Sequence, residues 1–188
     1  MEADPDQAGR IRLTLTDSAG TVCATAVAGL DPGEPDAVSV ADWPDVPPAT
    51  DPPVAAPEVL VPGTALALYP HGFHASLAAE YLEAVREVHP LYRLEGLAHP
   101  AWLLRDANYV LSANVRLGPW IHVESSVQHL ALVRDGQVVS ARARVTGEWE
   151  HKGHRFVELD VVHLADGAPV ARTDHIAIYR PRGAAPGA

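Results

Sequence analysis

The segment PAWLLRDANYVLSANVRL, residues 100–117, decides the fold. Leu103, Leu104, Ala107, Val110, Leu111 and Val115 recur at helical spacing, and Pro100 suits a first helical turn, where its missing N–H costs nothing. Only Arg105, Asp106, Asn108 and a few small polar residues interrupt the apolar surface. A helix this weakly polar needs something broad to enclose it.

The residues after it supply the enclosure, because they alternate as strands do. In WIHVESSVQHLALV (120–133), Ile121, Val123 and Val127 oppose His122, Glu124 and Gln128. Arg134-Asp135-Gly136 is a hairpin signal that predicts pairing with the next run. There, in 137–150, Val139, Ala141, Ala143 and Val145 face one way and Ser140, Arg142, Arg144 and Thr146 the other. Turns at 151–154 and 165–169 set off two more strands, FVELDVVHL and VARTDHIAIYRP. Upstream, FHASLAAEYLEAVREV (73–88) predicts a second helix with Leu77, Tyr81, Ala84, Val85 and Val88 on its apolar side. A helix followed by an antiparallel meander is an α+β domain with the helix laid on one face of the sheet.

Composition bounds what such a domain can do. The 188 residues, 47% hydrophobic, can bury one core with appendages. A net charge of −10 argues against nucleic acid and against an anionic membrane surface, since little basic surface is left to replace counterions. Apolar runs fall short of the ~18 residues a bilayer span needs, so a soluble, cytoplasmic protein is expected. The single cysteine, Cys23, cannot form an intrachain disulfide and sits in an apolar alternating run that predicts a buried thiol. Ten histidines include the close pairs His71/His74 and His151/His154, but neither HExxH nor a cysteine cluster accompanies them, so no metal is expected. A phosphate-binding glycine loop and a GxSxG elbow are likewise missing from the sequence.

Four regions follow. Residues 59–182 form the α+β domain, 31–58 a proline-rich acidic linker that Trp43 could pin to the surface, and 183–188 a disordered tail. Residues 1–30 contain a β-hairpin whose layout (13–30) echoes the last hairpin of the domain (159–179): strand, Asp-containing turn with Gly20 or Gly167, strand. Two alternatives stand for this echo. Any two hairpins look alike, or the chain opens with the remnant of a first copy of its own domain.

The long apolar helix wrapped by a meander, with His99-Pro100 at its start and LGPW (117–120) leading into the next strand, resembles the hotdog fold. Within it, residues 60–182 are most similar to the MaoC-like (R)-specific enoyl-CoA hydratases and acyl dehydratases. The resemblance implies an acyl-thioester ligand, of coenzyme A or a phosphopantetheine carrier, as substrate, no separate cofactor, and a homodimer. The family carries an Asp-Xaa-Asn-Pro-Xaa-His loop before the central helix, whose Asp and His activate water, while an N–H at the helix start holds the thioester oxygen. The matching stretch here is Glu87-Val88-His89-Pro90-Leu91-Tyr92, with Glu87 at the acid position and Tyr92 where the family has its histidine. Pro100 replaces a glycine and has no N–H, so Ala101 or Trp102 would have to serve as donor.

By this resemblance Glu87 and His89 are the acid/base pair and Tyr92 orients the substrate. His99, Ala101 and Trp102 meet the thioester, with His99 also a candidate helix cap, and Lys152 and Arg155 meet the phosphates of the coenzyme. His122 and Glu124 could face a subunit seam. Two other functions stay open: a hotdog thioesterase, with Glu87 or Asp106 guiding water onto the carbonyl, and a non-catalytic acyl-binding or scaffold subunit.

Overall fold

The computed structural model describes residues 2–3, 10–29 and 37–184, and the chain divides into two compact units, Met1–Asp36 and Ala37–Ala188. In the first, strands β1 (Glu2–Ala3), β2 (Arg10–Thr16) and β3 (Val22–Gly29) form an antiparallel sheet in the order β1-β2-β3. The β2–β3 turn is held by Asp17, whose Oδ1 accepts from the N–H groups of Ala19 and Thr21. Cys23 is exposed rather than buried. Apolar alternation buries a face only if a second layer covers it, and here Leu15, Val22 and Val27 are exposed as well.

The second unit is built on a five-stranded antiparallel sheet of β4 (Ala65–Gly72), β5 (Ile121–His129), β6 (Val138–His151), β7 (His154–Ala165) and β8 (Ala168–Arg180), in the order β4-β6-β7-β8-β5. Helix α3 (Pro100–Asn114) lies on one face, preceded by α1 (Ala75–Ala84) and the single turn α2 (Leu91–Leu94). The β6–β7 and β7–β8 hairpins close through two-residue turns, Lys152-Gly153 and Asp166-Gly167, with φ of 53° and 79°, and 49° and 82°. Positive φ at both central residues matches the right-handed twist of the flanking strands. Register shifts in every strand pair of this sheet bend it around the helix. Val110, Leu111 and Val115 meet Ala141, Ala143, Val145, Val157, Leu159 and Val161 in the main core.

Four expectations need correction. Arg134–Gly136 does not join a hairpin: β5 pairs with β8 at the far edge, and 130–137 carries the chain back across to β6. The strand β4, which completes the sheet on the other side, was missed because Pro70 and Gly72 interrupt its pattern. Helix α1 ends at Ala84, where Arg86 takes φ 55°, and it buries Ala78 and Leu82, leaving Leu77, Val85 and Val88 exposed. Finally, the part of the linker from residue 37 onward is packed as a strap. Trp43 is buried on Val162 and Leu164, on the face of β7 opposite α3, and its indole donates to the Asp160 carbonyl at 3.0 Å. Arg144 and Arg172 flank the ring and both pair with the Asp160 carboxylate. Further on, Ala55 and Leu60 enter the main core. Residues 31–36 of the linker and 185–188 of the tail lie outside the described residues.

Candidate functional site

The loop between α1 and α3 gathers two of the predicted residues, Glu87 and Tyr92, around the imidazole of a third, His99. His99 precedes α3 in extended backbone, and its Nδ1 accepts from the Ala101 N–H at 3.2 Å. Nδ1 therefore carries the lone pair and Nε2 the proton, which faces Glu87 Oε2 at 3.4 Å. Tyr92 packs on the same ring with centroids 4.9 Å apart, and Tyr81 of α1 meets it at 5.8 Å. The other oxygen of Glu87 accepts from the His89 N–H at 2.7 Å, and this bond, with His99 close by, holds the carboxyl below its usual range. His89 stands apart: it is exposed, and its Nδ1 accepts from the Leu91 N–H.

This arrangement caps the helix. The Trp102 N–H donates to the His99 carbonyl at 2.8 Å, so both amides expected to hold a thioester oxygen already have acceptors. Glu87, pulled toward its charged form and shared between two donors, is a weak base.

Beside this cap a crevice of about 230 Å³ opens between α1, the end of β4 and the first turns of α3. Leu77, Ala78 and Tyr81 form one wall, Trp102 and Arg105 another, and His71, Gly72 and His74 the third. Tyr81 belongs to both regions, since it lines the crevice and touches His99. The Arg105 guanidinium lies 4.3 Å over the Trp102 ring. Behind the wall, Asp106 is fully buried on α3, with His71 Nε2 3.4 Å from Oδ2 and Arg105 Nε 4.0 Å from Oδ1. Burial pushes its carboxyl up to about 6, against the opposing pull of His71 and Arg105. Helical spacing sets Asp106 on α3, but nothing in the sequence sets His71 beside it; the available signal is an acid at a core-facing helical position, four residues before Val110.

Other predicted residues do not join this region. Arg155 is occupied by Glu148, Glu150 and Tyr179. Tyr179 shares a core cluster with Leu111 and Val115 at the C-terminal end of α3, so Lys152 and Arg155 lie at the opposite end of the helix from His99. In β5 a register shift between His122 and Glu124 breaks the alternation expected there. His122 Nε2 and His175 Nδ1 both reach Ser125 Oγ, at 2.9 and 3.0 Å. His163, fully buried, bonds Thr173 Oγ1 at 3.0 Å. Among the described residues no group of three or more His, Cys, Asp or Glu is placed to hold a metal ion, and no helix is long and apolar enough to cross a membrane. A larger groove, about 460 Å³, runs between the strap at Asp45–Pro48 and strands β4 and β6, but its arginine, Arg142, is paired with Asp45.

A five-stranded antiparallel sheet in the order β4-β6-β7-β8-β5, curved about one buried helix, recurs in solved structures. The chain has the hotdog fold. It is similar to the (R)-hydratase from A. caviae involved in PHA biosynthesis, at TM-score 0.53 and 18% identity, over 62% of this chain and 95% of that one. It is similar to the monoamine oxidase regulatory protein from an Archaeoglobus, at TM-score 0.56 and 14% identity, over 68% and 95%. The third similar structure is the C-terminally truncated HadBC (3R-hydroxyacyl-ACP dehydratase) complex from Mycobacterium tuberculosis, at TM-score 0.52 and 17% identity, over 62% and 95%. No family model and no curated protein matches the sequence.

Proposed function

We propose that this protein binds an acyl thioester, of coenzyme A or an acyl carrier protein, and interconverts its 2-enoyl and 3-hydroxyacyl forms by adding or removing water. The observation that carries this is the crevice beside the first turn of α3, walled by Trp102 and Tyr81 and bordered by Arg105, His71 and His74. The fold is shared with proteins described as an (R)-hydratase and a 3R-hydroxyacyl-ACP dehydratase, and in our reading the thioester lies along the helix in this crevice. At about 230 Å³ the crevice suits a short acyl group, being smaller than the ~300–1,000 Å³ of sites for drug-sized ligands.

Glu87, His99 and Tyr92 act in this view as the frame of the crevice. They hold the first turn of α3 and fix Tyr81 against it. Engaging the Ala101 amide would require the substrate to displace the imidazole of His99. That requirement also favours a second possibility, an acyl-binding subunit without turnover. The chain should pair with a second copy through β5, an edge strand of its sheet, where Ile121 and Val123 are about half exposed.

Incubation with crotonyl-CoA and a six-carbon enoyl-CoA tests the proposal. Formation of the 3-hydroxyacyl product is expected. Release of free thiol instead would mean thioesterase chemistry, and saturable binding with neither product would mean a binding subunit.

A further inference from the structure

Asp106 is placed where a structural aspartate would not be. It is fully buried, neither oxygen has a hydrogen-bond partner among the described residues, and the Nε of neighbouring Arg105 is buried and unpartnered too. A carboxylate taken out of water without hydrogen-bond donors is costly, and an asparagine would fill the same shape without the charge. Asp106 lies behind the crevice wall, against His71, which lines it, and a buried carboxylate held beside a cleft by a charge partner is a candidate for a functional site.

The backbone turns a histidine toward it. On β4, Leu68 pairs with Ala141 and His71 with Val139, so three residues of β4 span two of β6. Ala141 and Val139 both face the buried side. By simple alternation Pro70 would face inward and His71 outward; the bulge reverses this and aims His71 at α3. His71 ends about one third exposed, lining the crevice, 5.6 Å from the Trp102 ring centroid and 3.4 Å from Asp106.

We propose that His71 is the general base of the acyl-thioester reaction, with Asp106 behind it as the positioning residue, in place of the altered loop at Glu87–Tyr92. This rests on the function proposed above. With Asp106 ionised, the ring proton is favoured on Nε2, which lies 3.4 Å from Oδ2, within ion-pair distance though not hydrogen-bonded to it, and Nδ1 carries the lone pair. In the structure Nδ1 lies 3.4 Å from the Tyr69 carbonyl, a contact that is a hydrogen bond only when Nδ1 is protonated; to act as base, Nδ1 exchanges it for a crevice water that donates to its lone pair. That water gives a proton to Nδ1 while its oxygen bonds to C3 of the 2-enoyl thioester. The C2–C3 π pair moves onto C2 and the thioester oxygen. The proton on Nδ1 then passes to C2, restoring the neutral imidazole, so that H and OH have added across the double bond with no change of redox state. Arg105, on the same wall, is the cation available to the enolate. The charged and titratable groups facing His71 are Asp106 and Arg105 from α3 and His74 and Tyr81 from α1 and the residue before it.

The test is the pH profile of enoyl-CoA hydration by the full chain, its His71→Gln variant and its Asp106→Asn variant. His71→Gln is expected to lower kcat by about 10²–10⁴-fold with little change in KM. Asp106→Asn should lower kcat less and move the acid limb of kcat/KM to lower pH, since the carboxylate that favours the imidazolium is gone. A purely structural role would leave that limb in place. Wild-type hydration with His71→Gln within threefold of it, or an unmoved acid limb in Asp106→Asn, overturns the pair and leaves the acyl-thioester function standing. If His71→Gln does not fold, the Asp106→Asn profile decides. A wild-type protein that hydrates neither substrate overturns the pair and the function together.

Discussion

Acidification from about pH 7 to pH 5 should weaken the hotdog unit by about 2.5 kcal/mol, and three buried groups set that figure. His163 is wholly enclosed, with Nε2 on Thr173 and Nδ1 unpartnered, and burial pulls its pKa down to about 3. His175, bonded to Ser125, is pulled down to about 4, again chiefly by burial. Both rings are therefore neutral in the fold but take up a proton near pH 6.5 once the chain unfolds. Their contribution is intact above that value, falls as the pH drops below it, and levels off only near pH 4 and pH 3. Between pH 7 and pH 5 each loses about 2 kcal/mol. Asp106 works the other way. Its folded pKa of about 6 lies above the unfolded value of 3.8, so protonation in the fold returns about 1.3 kcal/mol over the same interval. In His163→Gln, which can keep the bond to Thr173, the net loss should shrink to about 0.5 kcal/mol. Urea unfolding at the two pH values, followed by tryptophan fluorescence, measures both numbers. Equal wild-type stability at the two pH values, or an unchanged difference in His163→Gln, would refute the reasoning.

Asp106→Asn should stabilise the protein at pH 8 by up to about 3 kcal/mol, because it removes a buried charge whose pKa is raised from 3.8 to about 6; urea midpoints check this. Trp43→Ala should cost about 3–5 kcal/mol and free the strap, read as a lower melting temperature and faster proteolysis before residue 60. Sedimentation should find a dimer at micromolar concentration, and Ile121→Lys with Val123→Lys should leave a monomer with unchanged far-ultraviolet circular dichroism.

How much of this was legible in the sequence depended on whether local pattern and tertiary role agreed. Helix α3 and strands β6 to β8 are continuous, strongly periodic and bounded by glycine turns, so their existence and inward faces followed directly from the residues. Strand β5 has the same local pattern, but its partner is fixed by the sheet order, which a turn signal at Arg134–Gly136 cannot report. Helix α1 presents two apolar stripes. Small residues, Ala75 and Ala78, won the contact with the core over Leu77 because α1 packs closely on Phe73 and Trp102. The cap formed by Glu87, His99 and Tyr92 was legible as a cluster by resemblance, though not as a set of already satisfied hydrogen bonds. His71 could not be seen as a site residue from spacing, because a one-residue bulge decides which way it points.

The central claim is that an acyl thioester lies in the crevice between Tyr81 and Trp102. A crystal structure of the protein with butyryl-CoA, which lacks the double bond and cannot be hydrated, tests it most directly. Acyl density against Trp102, with the thioester near His71, is the predicted result. Acyl density in the groove under the Asp45–Pro48 strap, or an empty crevice at saturating ligand, would contradict it.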